Sequence, residues 1–379
     1  MAYEDYMISM SSGTTEDKFK TKVSAAFTEE LQKARSSVKG TRAEAEKEKS
    51  AAVREGFFKE KKEVVLGAKQ KLFSDVFGFK PPFGKDFPVT LFDTSDWEEE
   101  MQVRIPDKIT HYQFQKEPTA AIAYAIETGK FLSAVGPTGS GKSSVMEQVC
   151  ARLGRPFLRI NGRRDMQSSD MFGQYVVKDG ETVWKDGLMT IGVKYGAIVC
   201  LDEHTAIPAG ITMSLQWLRE HGGKLLLADN HDDEKIVEPN ENFRLFCTDN
   251  TRGLGDGVES FSGTMMQNTA SLNRFDMTVT VPYLPLGEEV MMLQAYFPDL
   301  SDDLLKKMVQ LANLIRTGYD QAELSITMSA RNLISWGRQA EDYEDHKQAF
   351  RFAFYNLLPA DEMRTAVQNW YTTVFDEKL

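Results

Sequence analysis

Between residues 131 and 283 the chain alternates between short apolar runs and longer stretches with apolar residues every three or four positions. The runs are FLSAV (131–135), FLRIN (157–161), AIVCLDE (197–203), RLFCTDN (244–250) and MTVTVPY (277–283). Each is rich in β-branched or aromatic residues and largely apolar on both faces, as a strand buried between two helical layers must be. The pattern predicts an α/β fold: a five-stranded parallel sheet with helices on both sides. After Pro285 the strands cease. EEVMMLQAY, DLLKKMVQLANLIRTGY, SARNLISWGRQAED and HKQAFRFAFYNLL carry helical spacing, so a helical domain is expected over 286–379.

The N-terminal part reads differently. Phe19, Val23, Phe27 and Leu31 fall at four-residue spacing, with a weaker echo at Val53, Phe57, Val64, Ala68 and Leu72, which predicts a helical, charged region over 1–85. Its middle, SSVKGTRAEAEKEKSAAVREG, is nearly charge-balanced and poor in large apolar residues, and suits a solvated helix, a loose coiled coil or a flexible arm. FKPPFGKDFP and the acidic DTSDWEEEMQ mark a boundary, with a connector placed at 86–106 and the α/β core at 107–285. Two hairpins are expected inside the core. QYVVKDGETVW sets Asp179-Gly180 between β-rich runs, and KLLLADNHDDEKIVE sets polar residues between two strands. Tyr175 and Trp184 are read as packing the first hairpin, with substrate contact as the alternative.

Composition narrows the function. Lys and Arg number 45 against 56 Asp and Glu, a net charge of −11, which disfavours a chain-wide nucleic-acid surface. Cys150, Cys200 and Cys247 lie in apolar runs without C-x-x-C spacing, and point to a reducing compartment. The start, MAYEDYMISMSSG, lacks a basic stretch followed by an apolar one, and no run reaches the roughly 18 apolar residues of a membrane span. A cytoplasmic protein without a membrane anchor is expected. His111, His204, His221, His231 and His346 show no zinc-site spacing, so no zinc centre is expected.

The first buried run continues into FLSAVGPTGSGKSS, which fits G-x-x-x-x-G-K-S/T at Gly136, Gly141, Lys142 and Ser143. Glycines let successive N–H groups converge on a phosphate, while the following helix offers its positive end. The loop residues Gly136, Pro137, Thr138, Gly139, Ser140, Gly141, Lys142, Ser143 and Ser144 are therefore the candidate ATP cradle. Lys142 is expected to reach the β- and γ-phosphates and Ser143 to ligate Mg2+. AIVCLDEH delivers Asp202 and Glu203 at the carboxyl end of another buried strand, where ligands of open α/β sheets bind. Asp202 is the second candidate metal residue and Glu203 the candidate that polarises the attacking water. Adjacent side chains on a strand point to opposite faces, so only a local twist brings both to one nucleotide.

With these residues in place, the chain resembles the AAA+ ATPases, and within them the MoxR branch with its cobaltochelatase ATPase subunits. The likeness rests on DMFGQYVVKDGETVWKDGLMTIGVKYGAIVCLDEHTAIPA, SLQWLREHGGKLLLADN, NFRLFCTDNTRGLGDG and SLNRFDMTVTVPYLP, and covers roughly 105–340. It implies that the hairpins are the helix-2 and pre-sensor-1 insertions and that the C-terminal helices form a lid. By the same resemblance Asn250 corresponds to sensor 1, Asn161 to the residue that restrains the catalytic glutamate, and Arg331 to sensor 2 on the lid. Arg274 corresponds to the arginine finger offered to a neighbouring subunit, with Arg252 a rival; salt-bridging to Asp276 is the plainer reading of Arg274. The resemblance implies a homo-oligomer, a hexameric ring, that remodels a protein client with a von Willebrand factor A domain partner. A cobaltochelatase subunit, a nucleic-acid motor or loader, and a ring scaffold are the alternatives.

Overall fold

A computed structural model describes residues 68–220, 222–231, 235–250 and 275–379. The expected arm before residue 68 lies outside them. Strand β1 (Gln70–Leu72), helix α1 (Phe73–Phe77) and strand β2 (Pro88–Thr90) come first, with β1 and β2 antiparallel. Helix α2 (Lys116–Thr128), strand β3 (Leu132–Val135), helix α3 (Lys142–Leu153) and strand β4 (Phe157–Asn161) follow. A hairpin of β5 (Gly173–Lys178) and β6 (Glu181–Asp186) then leads through helix α4 (Leu188–Tyr195) to strand β7 (Ile198–Asp202). A short pair, β8 (Leu225–Leu226) and β9 (Ile236–Val237), precedes strands β10 (Arg244–Asp249) and β11 (Met277–Thr280).

The parallel sheet has the order β11-β3-β10-β7-β4. Its strands alternate side chains between two cores. Ile198 and Cys200 of β7 join Leu132, Ala134 and Phe246 under α2 and α3, while Val199 and Leu201 join Leu158, Leu245 and Val193 under α4. This two-sided burial is why the sequence reads as unbroken apolar runs and why the α/β expectation holds. Residues 70–90, expected as the end of the helical region and the start of a connector, are instead a strand–helix–strand packed on α2. Phe73 and Val89 are fully buried in the same cluster as Ile122 and Ile126, and the Thr90 N–H donates to Glu127 Oε1 at 3.0 Å.

Both hairpins form. Asp179 and Gly180 have φ of 53° and 87°, the paired left-handed conformations of a type I′ turn, and Val176 faces Val183 across the ribbon. Tyr175 pairs with Trp184, their rings 5.2 Å apart edge to face, and the Tyr175 hydroxyl accepts the His231 N–H at 2.9 Å. The first hairpin is thus tied to the segment between β8 and β9.

The C-terminal helices are α5 (Leu286–Tyr296), α6 (Asp302–Asp320), α7 (Ala330–Tyr343), α8 (His346–Ala353) and α9 (Asp361–Phe375). They close around Trp336, Phe350, Phe354 and Tyr371, all fully buried. Ser301 caps α6 by accepting the Leu304 N–H, and Ser329 with Asn332 forms a capping box at the start of α7. No described helix is long and apolar enough to cross a membrane.

Candidate functional site

The loop Gly136–Gly141 joins β3 to α3 at the carboxyl edge of the sheet. Gly139 has φ of 71°, and a Cβ there would come within 2.3 Å of Ser329 Cβ, so glycine is what lets the loop lie against the start of α7. Lys142 opens α3 and is 8% exposed. Its Nζ donates to the Gly136 and Pro137 carbonyls, both at 2.9 Å, and to Asn250 Oδ1 at 2.6 Å. Burial lowers its pKa to about 8, partly offset by the charges of Asp202, Asp249 and Glu203. An ammonium group so desolvated, held mostly by neutral oxygens, is primed for a polyanion.

Asp202 ends β7. Its Oδ1 accepts from Ser143 Oγ at 2.7 Å and from Thr248 Oγ1, and its Oδ2 accepts from Arg159 Nη2. Burial alone would raise its pKa; the Thr248 and Ser143 hydroxyls and the Arg159 charge outweigh that and hold it below the ordinary 3.8. The carboxylate therefore stays ionised. Glu203 follows with φ of 54°, a left-handed conformation that costs a non-glycine residue about 1–3 kcal/mol. Its N–H donates to Thr248 Oγ1 at 3.1 Å, which holds the turn. This turn is the local twist that lets two consecutive acids line one cavity.

That cavity, of about 160 Å³, is lined by Lys142, Ser143, Arg159, Asp202, Glu203 and Arg331 among others. Asn250 reaches it from the end of β10 and Arg331 from α7. A second cavity, of about 170 Å³, shares Gly139, Gly141, Ser144 and Arg331 and is walled by Tyr112, Tyr283 and Ile334. One space is polar and charged; the other offers flat apolar walls suited to a heteroaromatic base. Tyr283 donates its hydroxyl to the Thr138 carbonyl at 2.7 Å, tying the segment before α5 to the loop.

Asn161 stands opposite Asp202 in the β4–β7 register but does not line the first cavity. Arg274 and Arg252 lie outside the described residues. Arg159, Thr248 and Tyr283 were missed in the sequence; only Arg159, a charge interrupting the apolar FLRIN, left a local signal. Ser143 and Asp202 form an oxygen-only donor pair, which fits a hard cation such as Mg2+.

Residues 133–265 match the family described as AAA domain (dynein-related subfamily), and residues 289–374 match the CbbQ/NirQ/NorQ C-terminal family. The chain is 33% identical over 284 residues to aerobic cobaltochelatase subunit CobS of Sinorhizobium sp., covering 73% of this chain and 84% of that one. It is 29% identical over 235 residues to midasin of Dictyostelium discoideum, covering 60% of this chain but 4% of midasin. It is also 27% identical over 256 residues to von Willebrand factor A domain-containing protein 8 of Mus musculus, covering 64% of this chain and 13% of that protein. The chain thus spans only a small part of these two longer relatives.

Proposed function

Because the chain belongs to the AAA+ ATPases, in the MoxR branch with the CobS-like proteins, we propose that it is a ring-forming motor whose ATP hydrolysis remodels a protein client. The observation that carries the catalytic part is the left-handed turn at Glu203, which sets a second carboxylate beside Asp202 in the cavity that Lys142 enters. Gly136–Ser144 hold the phosphates, and Lys142 exchanges its neutral oxygen partners for them. Ser143 and Asp202 would hold Mg2+, which when bound offsets phosphate charge. Glu203 accepts a proton from the attacking water, and Asn250 orients that water beside the phosphates. Asn161 restrains Glu203 until the site is complete.

Arg331 brings the lid to the phosphates. A guanidinium from the neighbouring subunit, Arg274 or Arg252, completes the site, so isolated subunits turn over slowly; such an arginine contributes roughly 10³ to 10⁵ in rate. The ring is read as a hexamer, a reading supported by the tendency of AAA+ ATPases to oligomerise, and lid rotation against the core supplies the stroke. A partner with a von Willebrand factor A domain is supported by the relative that bears that domain in its name. A second reading, the ATPase subunit of a cobaltochelatase, is favoured by the match to most of CobS.

Glu203→Gln is expected to bind ATP and hold its client while hydrolysis stops, and Lys142→Ala to lose ATP binding. Calorimetric titration, phosphate release and affinity purification of the ATP-loaded Glu203→Gln ring test this. Normal hydrolysis by Glu203→Gln would refute the catalytic assignment, and a cobaltochelatase core subunit as the captured protein would select the second reading.

A further inference from the structure

Arg159 lies on β4 in register with Cys200 of β7, two residues before Asn161. Leu158 and Ile160 turn the other way into the core, so Arg159 and Asn161 share the opposite face. The Arg159 side chain is 41% exposed, while that of Asp202 is 10% exposed. Two hydroxyls occupy Asp202 Oδ1 and the guanidinium of Arg159 occupies Oδ2, so each carboxylate oxygen already has a donor from the chain.

Three of the carboxylate's roughly four lone-pair sites are thus filled by the chain itself before any metal arrives. A hydroxyl donor at Oδ1 is compatible with Mg2+, because Ser143 can direct its proton at the carboxylate and a lone pair at the metal. A guanidinium at Oδ2 opposes it. It leaves that oxygen a single lone pair for a metal or a metal-bound water, and its positive charge, held against the same oxygen, repels the divalent ion. Arg159 also lines the cavity with Lys142 and Ser143, and its exposed side chain has open space into which to move.

We propose that Arg159 is a positioning residue that holds Asp202 in place ahead of the metal and is displaced from Oδ2 when Mg2+ arrives, so that Mg2+ is taken up against a resident positive charge. The proposal rests on the Mg2+ reading of Ser143 and Asp202. Two consequences separate it from a permanent structural ion pair. Removing the guanidinium must make the site take Mg2+ at lower concentration, and the metal-free chain must lose stability that Mg2+ with nucleotide restores.

The test uses the full chain stripped of metal and a fluorescently labelled non-hydrolysable ATP analogue, with Mg2+ titrated at fixed nucleotide. Arg159→Gln is expected to lower the Mg2+ concentration at half-saturation by roughly fivefold, the upper end for a charge pair half open to water. Arg159→Lys, which keeps the charge and loses the fork, is expected to lower it by a smaller factor. Melting curves with and without Mg2+ are expected to show the larger metal-dependent gain in Arg159→Gln. A midpoint that is unmoved in folded Arg159→Gln overturns the proposal, and a raised one assigns Arg159 to the phosphates instead. Should Arg159→Gln not fold, the midpoint of Arg159→Lys decides on the same terms. If the wild-type chain binds the analogue with no dependence on Mg2+, the Mg2+ reading itself fails; if the dependence is present and the midpoint does not fall, only this inference fails.

Discussion

Thr248→Val removes one hydroxyl and keeps the side-chain shape. In the native chain that hydroxyl stands between the two acids, donating to Asp202 Oδ1 and accepting the Glu203 N–H at 3.1 Å. Thr248 is 1% exposed, so water cannot take its place without rearrangement. A hydrogen bond to a charged group contributes about 1.5–3 kcal/mol and one from a backbone N–H about 1 kcal/mol. Asp202 keeps its Ser143 and Arg159 donors, which limits the loss, and we expect about 2–3 kcal/mol. For a unit spanning Val65–Leu379 that is roughly 3–5 °C in melting temperature.

The pH dependence carries the sharper test. Burial pushes the Asp202 carboxyl up, but the Thr248 and Ser143 donors and Arg159 leave it below 3.8 in the folded chain. A depressed folded pKa contributes stability that is fully present above the unfolded value and lost as pH falls through the folded value. Thr248→Val moves the folded value up and narrows that gap. The difference in melting temperature between wild type and variant is therefore expected to be widest above about pH 4 and to shrink below it. Metal-free melts from pH 3 to 8 measure it, with Thr248→Ser as the variant that keeps the hydroxyl. ATP turnover is expected to fall roughly tenfold, because the left-handed turn at Glu203 loses its anchor. A Thr248→Val chain that melts within a degree of wild type at pH 7 and hydrolyses ATP at the wild-type rate would sink the reasoning.

The sheet was legible because its strands are buried on both faces. An unbroken apolar run then needs no alternation to be recognised, and β4 spans the same residues, 157–161, as the run FLRIN. The strand order was not legible from the runs alone, since any of these strands could lie beside any other. Residues 70–90 were misread because Leu72 continues a helical spacing and the Pro and Gly of FKPPFGKDFP read as a linker. Their structure comes from aromatic contacts made across the fold, such as the edge-to-face packing of Phe87 on Tyr124 at 5.6 Å, rather than from local preference. At the site, residues Gly136–Ser144 are contiguous and so form a motif. Arg159 and Thr248 lie 43 and 46 positions from the Asp202 they grip, and no spacing rule links them. Asn161 shares a register position with Asp202 yet does not line the cavity, so its restraining role stays a proposal, as do the inter-subunit roles of Arg274 and Arg252.

Two further perturbations test how the lid meets the loop. Gly139→Ala places a Cβ where Ser329 Cβ lies 2.3 Å away, at a φ of 71° that alanine disfavours. The lid must move back, and ATP affinity by calorimetry is expected to drop tenfold or more, about 1.4 kcal/mol, with little change in melting of the nucleotide-free chain; unchanged affinity would mean that the loop and α7 do not close on one nucleotide. Glu289 is 1% exposed and receives the fork of Arg316 at 2.7 and 2.8 Å, while Arg316 Nε donates to the Met328 carbonyl. The same guanidinium lies 4.0 Å from the Tyr283 ring, whose hydroxyl bonds the Thr138 carbonyl of the phosphate loop. Glu289→Ala leaves a buried cation without its counter-charge and is expected to cost about 3–5 kcal/mol. Replacing both partners by apolar residues, Glu289→Leu with Arg316→Met, removes that charge and is expected to recover most of the stability. It does not restore the guanidinium over Tyr283. The double variant is therefore expected to melt near wild type yet bind ATP more weakly, and full recovery of both would show that the ion pair serves the lid's packing and has no part in holding the loop.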